Sequence, residues 1–435
     1  MFVLEQKPHI VMLPFMAQAH MLPMVDLARV LAKRGSTISI LATPHNAGRF
    51  KSVIDRAIAT GLDIHVLHLK FPCSEVGLPD GCENFDMLAS GDDVFKFFRA
   101  IDMLKEQVQE MLRQLEPAPS CLIADACFPS WTTNVALKLH FPRILFYATT
   151  CQSEAFGAIV VNTFEELESE YIKEYKKAIG KGVWCVGPVS LCNKDYADKV
   201  ESGNKLVSTA ENEHCLKWLD SKEPGSVIYV CLGSQSSPAT LQLIELALAL
   251  EASNRPFIWV LRNPSEESEK WLLEEKIEER IKDRGLLIRS WAPQVLILSH
   301  PSIGAFLTHC GGNSMLEGMA AGMPMLTWPV FSDTFRNEKL IVKLIKIGLR
   351  IGVEKPVFLG EDDDEHKVQV KKDEIKKAIE KLMNGGEEAN EMRKRAKELG
   401  EMAKRAVEEG GSSYLNVTLF IQDVIGEQAR LAGLE

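Results

Sequence analysis

Short apolar runs recur along this chain, and between them lie longer stretches whose apolar residues fall three and four positions apart. The first run, HIVMLPF, covers residues 9–15; a second, TISILAT, covers 37–43. Between them Met24, Leu27, Ala28 and Leu31 share one face, and Gly35 follows. A continuous apolar run marks a strand buried on both faces, the three-four spacing marks a helix, and the glycine supplies its stop. Strand, helix and strand make a βαβ unit. Its first loop then lies at the carboxyl ends of parallel strands, where open α/β sheets bind ligands. His20 falls on that loop or at the start of the helix.

The rhythm repeats. Strands are predicted over 63–69, 121–124, 143–147 and 156–162, with helices over 94–115 and after Phe128. Residues 189–205 follow Gly187-Pro188, are rich in polar residues and read as a linker. A second set opens with a strand over 226–232, a turn at 233–236 and a helix over 239–252. Strands at 256–261, 286–290, 302–308, 323–328 and 349–353 follow, then amphipathic helices at 371–383, 387–408 and 413–425. The acidic run 361–365 reads as a solvated loop. The pattern predicts an α/β protein of two Rossmann-like doubly wound domains facing across a cleft. Their expected limits are 1–188 and 206–410, with a closing helix at 411–435 packing back on the first domain.

Composition narrows the class. A chain of 435 residues is long for one core, which fits two domains. Its 46% hydrophobic and 25% charged residues are those of a globular protein. A net charge of −10 argues against nucleic acid or an anionic membrane as partner. Ten cysteines without a CxxC pair read as reduced thiols, and no leader or membrane span is evident. A cytoplasmic monomer acting on small molecules is the expectation.

The candidate chemistry gathers between 291 and 334. The strand 302–308 runs into the turn His309-Cys310-Gly311-Gly312-Asn313-Ser314, and Met315 begins a helix. A strand, a glycine turn and a helix start aim free N–H groups and a positive dipole end at an anion, so this is a candidate phosphate site, with an ordinary strand-to-helix turn as the other reading. The glycine fingerprints of dinucleotide and P-loop proteins are absent, which disfavours a nicotinamide-dependent oxidoreductase.

Within this stretch stand Trp291-Ala292-Pro293-Gln294, His300-Pro301, Thr308-His309-Cys310-Gly311, Asn313-Ser314, Glu317-Gly318, Gly322-Met323-Pro324 and Trp328-Pro329. In these the chain resembles the plant secondary-product (family 1) UDP-glycosyltransferases, and phrases at 71–79 and 410–414 resemble the subgroup acting on triterpenoid, steroid and flavonoid hydroxyls. The resemblance implies a GT-B fold and an inverting, metal-independent transfer, with a UDP-sugar as co-substrate and no further cofactor. It implies that Trp291 stacks on uracil, with Ala292 and Gln294 near uracil and ribose, and that Glu317 accepts from the ribose hydroxyls. His309, Gly311, Asn313, Ser314 and Ser234 would hold the diphosphate. Gly312, Asp333, Thr334 and Thr149 would stand at the sugar, and Trp328 would be core. His20 would take the proton of the acceptor hydroxyl, oriented by Asp125 at the end of another strand. Phe15, Met16 and Phe128 would line the acceptor pocket.

Four departures stand beside the matches. Gly312 replaces a usual Trp, Thr334 a usual Gln and Ala19 a usual Gly, and a segment common in the family is missing between 151 and 156. The altered sugar end leaves a catalytically weak UDP- or aglycone-binding protein as the alternative.

Overall fold

The structure, a computed structural model, describes residues 7–148, 158–179, 182–201, 209–233, 239–262, 264–289, 291–331, 333–356 and 368–431. The chain divides into two units, one of Met1–Lys205 with Ala403–Glu435, the other of Leu206–Met402.

Unit 1 is built on a parallel sheet of seven strands: β1 (His9–Leu13), β2 (Thr37–Ala42), β3 (Ile64–His68), β4 (Cys121–Asp125), β5 (Arg143–Tyr147), β6 (Ile159–Val161) and β7 (Val183–Cys185), in the order β3-β2-β1-β4-β5-β6-β7. Every residue of β1 is buried, which is why its sequence carries no polar alternation. Its side chains still divide by the period of two. Ile10 and Met12 enter one core with Met24, Leu27 and Leu31 of the helix Gln18–Lys33. Val11 and Leu13 enter the other with Phe97, Ile101 and Val108.

The first of these cores is completed by the last helix, Ser412–Leu431, whose Val417, Phe420 and Val424 are buried in it. Phe420 meets Trp184 edge to face at 5.1 Å, and the Trp184 indole donates to Asp423 at 3.2 Å. Burying one such aromatic contributes about 2–3 kcal/mol.

The expected helix at 94–115 is two helices, Gly91–Met103 and Lys105–Gln114, meeting at Leu104. Residues 189–201, expected as part of a linker, are fastened to unit 1. Arg29, buried on the first helix, reaches Asp198 and Asn193. Asn193 donates to Asp26 at 3.1 and 3.2 Å, and Arg56 joins Asp198 at 3.0 Å. Polar composition suggested a slack connection because those residues are partnered by charges far away in sequence.

Unit 2 repeats the plan with six parallel strands: β8 (Val227–Cys231), β9 (Phe257–Val260), β10 (Gly285–Ile288), β11 (Ile303–Thr308), β12 (Met325–Thr327) and β13 (Gly348–Arg350), ordered β10-β9-β8-β11-β12-β13. Ile228 and Val230 face one core, and Val227 and Tyr229 the other. Two Rossmann-like parallel-sheet domains are therefore present, as the periodicity predicts. Among the described residues no helix is long and apolar enough to cross a membrane.

Candidate active site

In each sheet the strand order reverses once, and the crevice outside the carboxyl ends at that reversal is where such sheets hold ligands. In unit 1 the reversal falls between β1 and β4. The chain leaves β1, turns through Ala17 and enters the helix Gln18–Lys33, so His20 sits in its first turn; the His20 and Met21 amides both bond the Ala17 carbonyl at 2.9 Å. Asp125 ends β4 and is 1% exposed.

His20 Nδ1 and Asp125 Oδ2 lie 2.9 Å apart, although 105 residues separate them in the chain. A carboxylate only accepts, so Nδ1 carries the proton and Nε2 carries the lone pair. The Cys127 amide donates to the other carboxylate oxygen at 2.9 Å, which fixes the carboxylate plane. Phe15 sets its ring edge against the imidazole at 5.5 Å.

The three residues expected to line an acceptor pocket are buried. Phe15, Met16 and Phe128 are 3%, 2% and 4% exposed and belong to the core beneath His20. Phe98, which stacks on Phe15 at 6.0 Å, is the exposed ring of that group at 38%. Its place was missed, although the aromatic run Phe95-Lys96-Phe97-Phe98 on an amphipathic helix was a signal. Phe15, Met16 and Phe128 follow β1 and β4, and residues directly after a central strand enter the core before the chain reaches the surface.

In unit 2 the reversal falls between β8 and β11. Gly233 follows β8 with a φ of +91°, and Cys310 follows β11 with a φ of +64°. The His309 ring lies between two glycines. A Cβ on Gly233 would stand 2.6 Å from Nε2, and one on Gly311 2.3 Å from it. A side chain at either would displace the ring, and the positive φ of Gly233 favours glycine there as well. His309 Nδ1 is buried without a hydrogen-bond partner. Burial lowers the pKa of this imidazole to about 4, with the Cys231 backbone pulling the other way, so it is neutral near pH 7. The helix Gly312–Ala320 starts at the N-cap Gly311. The Asn337 amide holds the Cys310 carbonyl at 2.8 Å and so braces the turn. The helix start, with its free amides and positive dipole end, is a place for an anion, and the neutral imidazole lies beside it.

A polar chain continues from the turn. Gln294 donates to Glu317 at 2.7 Å and to Ser314 at 3.1 Å, and accepts from the buried Tyr229 hydroxyl at 3.3 Å. Asn313 and Trp291 are half-buried, and Ala292 is buried. The Arg262 guanidinium lies 4.9 Å from the Trp291 ring centre. Sequence reasoning missed Arg262, Tyr229 and Asn337; Arg262, a charge just past an apolar strand, was the visible one. Trp328 is core, 4% exposed.

The sugar-end residues divide. Asp333 is half-buried and accepts from Asn337 at 3.2 Å. Thr334 is 2% exposed; its hydroxyl accepts from the Val330 and Phe331 amides at 3.0 and 3.1 Å and donates to the Phe331 carbonyl. That hydroxyl closes its own loop. Gly312 is buried at the helix start. Ser234 and Thr149 lie outside the described residues.

Known proteins agree with this architecture. The family model described as UDP-glucoronosyl and UDP-glucosyl transferase matches residues 128–349. UDP-glycosyltransferase 73C25 of Barbarea vulgaris is 47% identical, covering 96% of each chain. That alignment extends over 481 positions against 435 residues here, so the relative contains stretches without a counterpart in this chain. The crystal structure of Glycyrrhiza uralensis UGT73P12, complexed with glycyrrhetinic acid 3-O-monoglucuronide, superposes with a TM-score of 0.86 at 33% identity, covering 98% of each chain. Arabidopsis thaliana UGT89C1, complexed with UDP-L-rhamnose, gives 0.80 at 29% identity, covering 97% of this chain and 100% of that one. With this identity over nearly its whole length, the chain belongs to the UDP-glucoronosyl and UDP-glucosyl transferase family and is a plant family 1 UDP-glycosyltransferase of GT-B fold.

Proposed function

We propose that this UDP-glycosyltransferase moves a hexose, glucose by default, from its UDP-sugar to a hydroxyl of a small apolar aglycone, with inversion at the anomeric carbon and His20 as general base. The observation that carries the reading is the 2.9 Å contact between His20 Nδ1 and the buried Asp125 carboxylate. It leaves Nε2 as the basic nitrogen. An alcohol is a poor nucleophile until its proton leaves, and the imidazole Nε2 accepts that proton as the oxygen attacks. Asp125 stabilises the imidazolium that results. The leaving group is UDP, whose diphosphate is assigned to His309, Gly311, Asn313 and the helix start, and whose ribose is assigned to Glu317.

The aglycone reading, a triterpenoid, steroid or flavonoid, draws on two points. Phe98, exposed and stacked on the Phe15 ring that meets His20, offers flat apolar surface near the base, and the Glycyrrhiza relative holds a glycyrrhetinic acid glucuronide. The alternative of a weakly catalytic binding protein is favoured by Thr334, whose hydroxyl is already bonded within its loop.

Two measurements separate them. His20→Ala is expected to abolish transfer while UDP titration stays within about twofold of wild type; wild-type turnover in that variant would sink the assignment. A donor panel of UDP-glucose, -galactose, -xylose, -rhamnose and -glucuronate, against one triterpenoid and one flavonol, reads donor and activity together. No product with any donor would favour the binding protein.

A further inference from the structure

Beside the dyad stands a third group that the transfer does not use. Cys127 lies on the exposed turn between β4 and the helix Trp131–Lys138, and its thiol is not in a disulfide. A His20 ring nitrogen, an Asp125 carboxylate oxygen and Cys127 Sγ all lie within 4.8 Å of one another. We propose that His20, Asp125 and Cys127 form an inhibitory site for a soft divalent cation of the Zn²⁺ or Cd²⁺ class, and that an ion bound there switches the base off.

The donor set and its spacing carry this. Zinc takes imidazole nitrogen at about 2.0–2.1 Å, carboxylate oxygen at about 2.0–2.2 Å and thiolate sulfur at about 2.3 Å, and a site of three protein ligands keeps its fourth position for water. Ligand atoms on one tetrahedral ion then stand roughly 3.3–3.7 Å apart. The 2.9 Å between His20 and Asp125 has to open by a few tenths of an ångström, and the thiol, on an exposed residue, has to swing inward. Asp125 is prepared for this, because the Cys127 amide holds Oδ1 and leaves Oδ2 for the ion. A mixed nitrogen, oxygen and sulfur set selects Zn²⁺ or Cd²⁺ over Mg²⁺, which prefers oxygen alone.

Occupancy silences the imidazole by moving its proton. The metal takes the Nδ1 lone pair, so the single proton of the neutral ring resides on Nε2, and Nε2 no longer accepts from a hydroxyl. The thiol releases one proton to solvent as it becomes thiolate. Nothing is oxidised or reduced. Binding of the ion stands on the cluster alone; silencing rests on His20 being the base, as proposed above.

The test uses the full chain without nucleotide, because UDP itself binds divalent ions. Cd²⁺ is titrated while the thiolate-to-cadmium ultraviolet band is recorded, and Zn²⁺ affinity is measured by calorimetry, for wild type and Cys127→Ala. Thermal melts establish that the variant is folded. Wild type is expected to bind one ion with the band, and Cys127→Ala to lose the band and bind Zn²⁺ more than ~10-fold more weakly, since loss of even an outer-sphere partner costs about that much. In assays at buffered free Zn²⁺, wild-type transfer is expected to fall and to recover with a chelator. Cys127→Ala, which retains the backbone amide on Asp125, is expected to need at least ~10-fold more Zn²⁺ for the same fractional loss of its own metal-free activity. Equal Zn²⁺ affinity in the two proteins overturns the site. Binding that depends on Cys127 but leaves transfer untouched keeps the site and overturns both the silencing and the base.

Discussion

At the reversal of strand order, unit 1 sets an imidazole against a buried carboxylate, whereas unit 2 sets an imidazole between two glycines with one nitrogen unsatisfied. The sheets are alike there, and the histidines differ by their neighbours. Asp125 holds the Nδ1 proton of His20 and leaves Nε2 to accept, which suits a group that takes a proton and passes it on. Burial holds His309 neutral, which suits a group that meets an anion while the turn glycines and the helix start supply the positive field. The chemistry of a histidine is thus set by what its second nitrogen touches.

The largest test of this contrast is Asp125→Asn. An amide facing Nδ1 favours the wrong tautomer, so kcat is expected to fall by about 10²–10⁴ while UDP affinity holds. A fall of less than about tenfold would show that the carboxylate is not what makes His20 basic. Next is Gly311→Ala. The added methyl meets the His309 ring, and UDP affinity by calorimetry is expected to drop roughly 10–100-fold, about 1.4–2.8 kcal/mol. Unchanged affinity would mean that the ring swings away without cost and is not part of the anion site.

Acid should act on the two units with opposite sign. His309 has a folded pKa of about 4 against 6.5. Unfolded chain therefore binds the extra proton in that window, and the contribution to unit 2, complete above pH 6.5, is lost as pH falls toward 4. Asp26 is raised from 3.8 to about 6, by burial above all, against the pull of Arg29. Its contribution to unit 1 is present below pH 3.8 and lost as pH rises through 6. Each effect is on the order of 1–3 kcal/mol. Hydrogen exchange of β8 and β11 against β1 and β4, at pH 7 and 4.5, reads the units separately, and His309→Asn should flatten the response of unit 2 alone. The smallest effect is expected for Phe98→Ala, a few-fold rise in KM for an aromatic or triterpenoid aglycone with kcat little changed; no change would remove Phe98 from the acceptor surface.

The two plans were legible because buried parallel strands are written as unbroken apolar runs, which HIVML and VIYVC show. The turn at 309–312 was legible because glycines at a strand-to-helix junction have a local cause. Illegible were features whose partners lie far along the chain. Asp198 looked like linker composition, yet it closes a buried ion pair with Arg29, and breaking such a pair costs about 3–5 kcal/mol. Phe128 looked like a loop residue and is core.

The sequence by itself determined the doubly wound plan through its periodicity and the 309–314 turn through glycine placement, and the family resemblance of its motifs made His20 and Asp125 candidates. Only the tertiary structure decided that His20 and Asp125 meet at 2.9 Å, that Cys127 stands beside them, and that His309 lies between Gly233 and Gly311. The reason is the sheet. Parallel strands that pair side by side are far apart in the chain, so the groups at their carboxyl ends become neighbours through strand order and not through spacing in sequence.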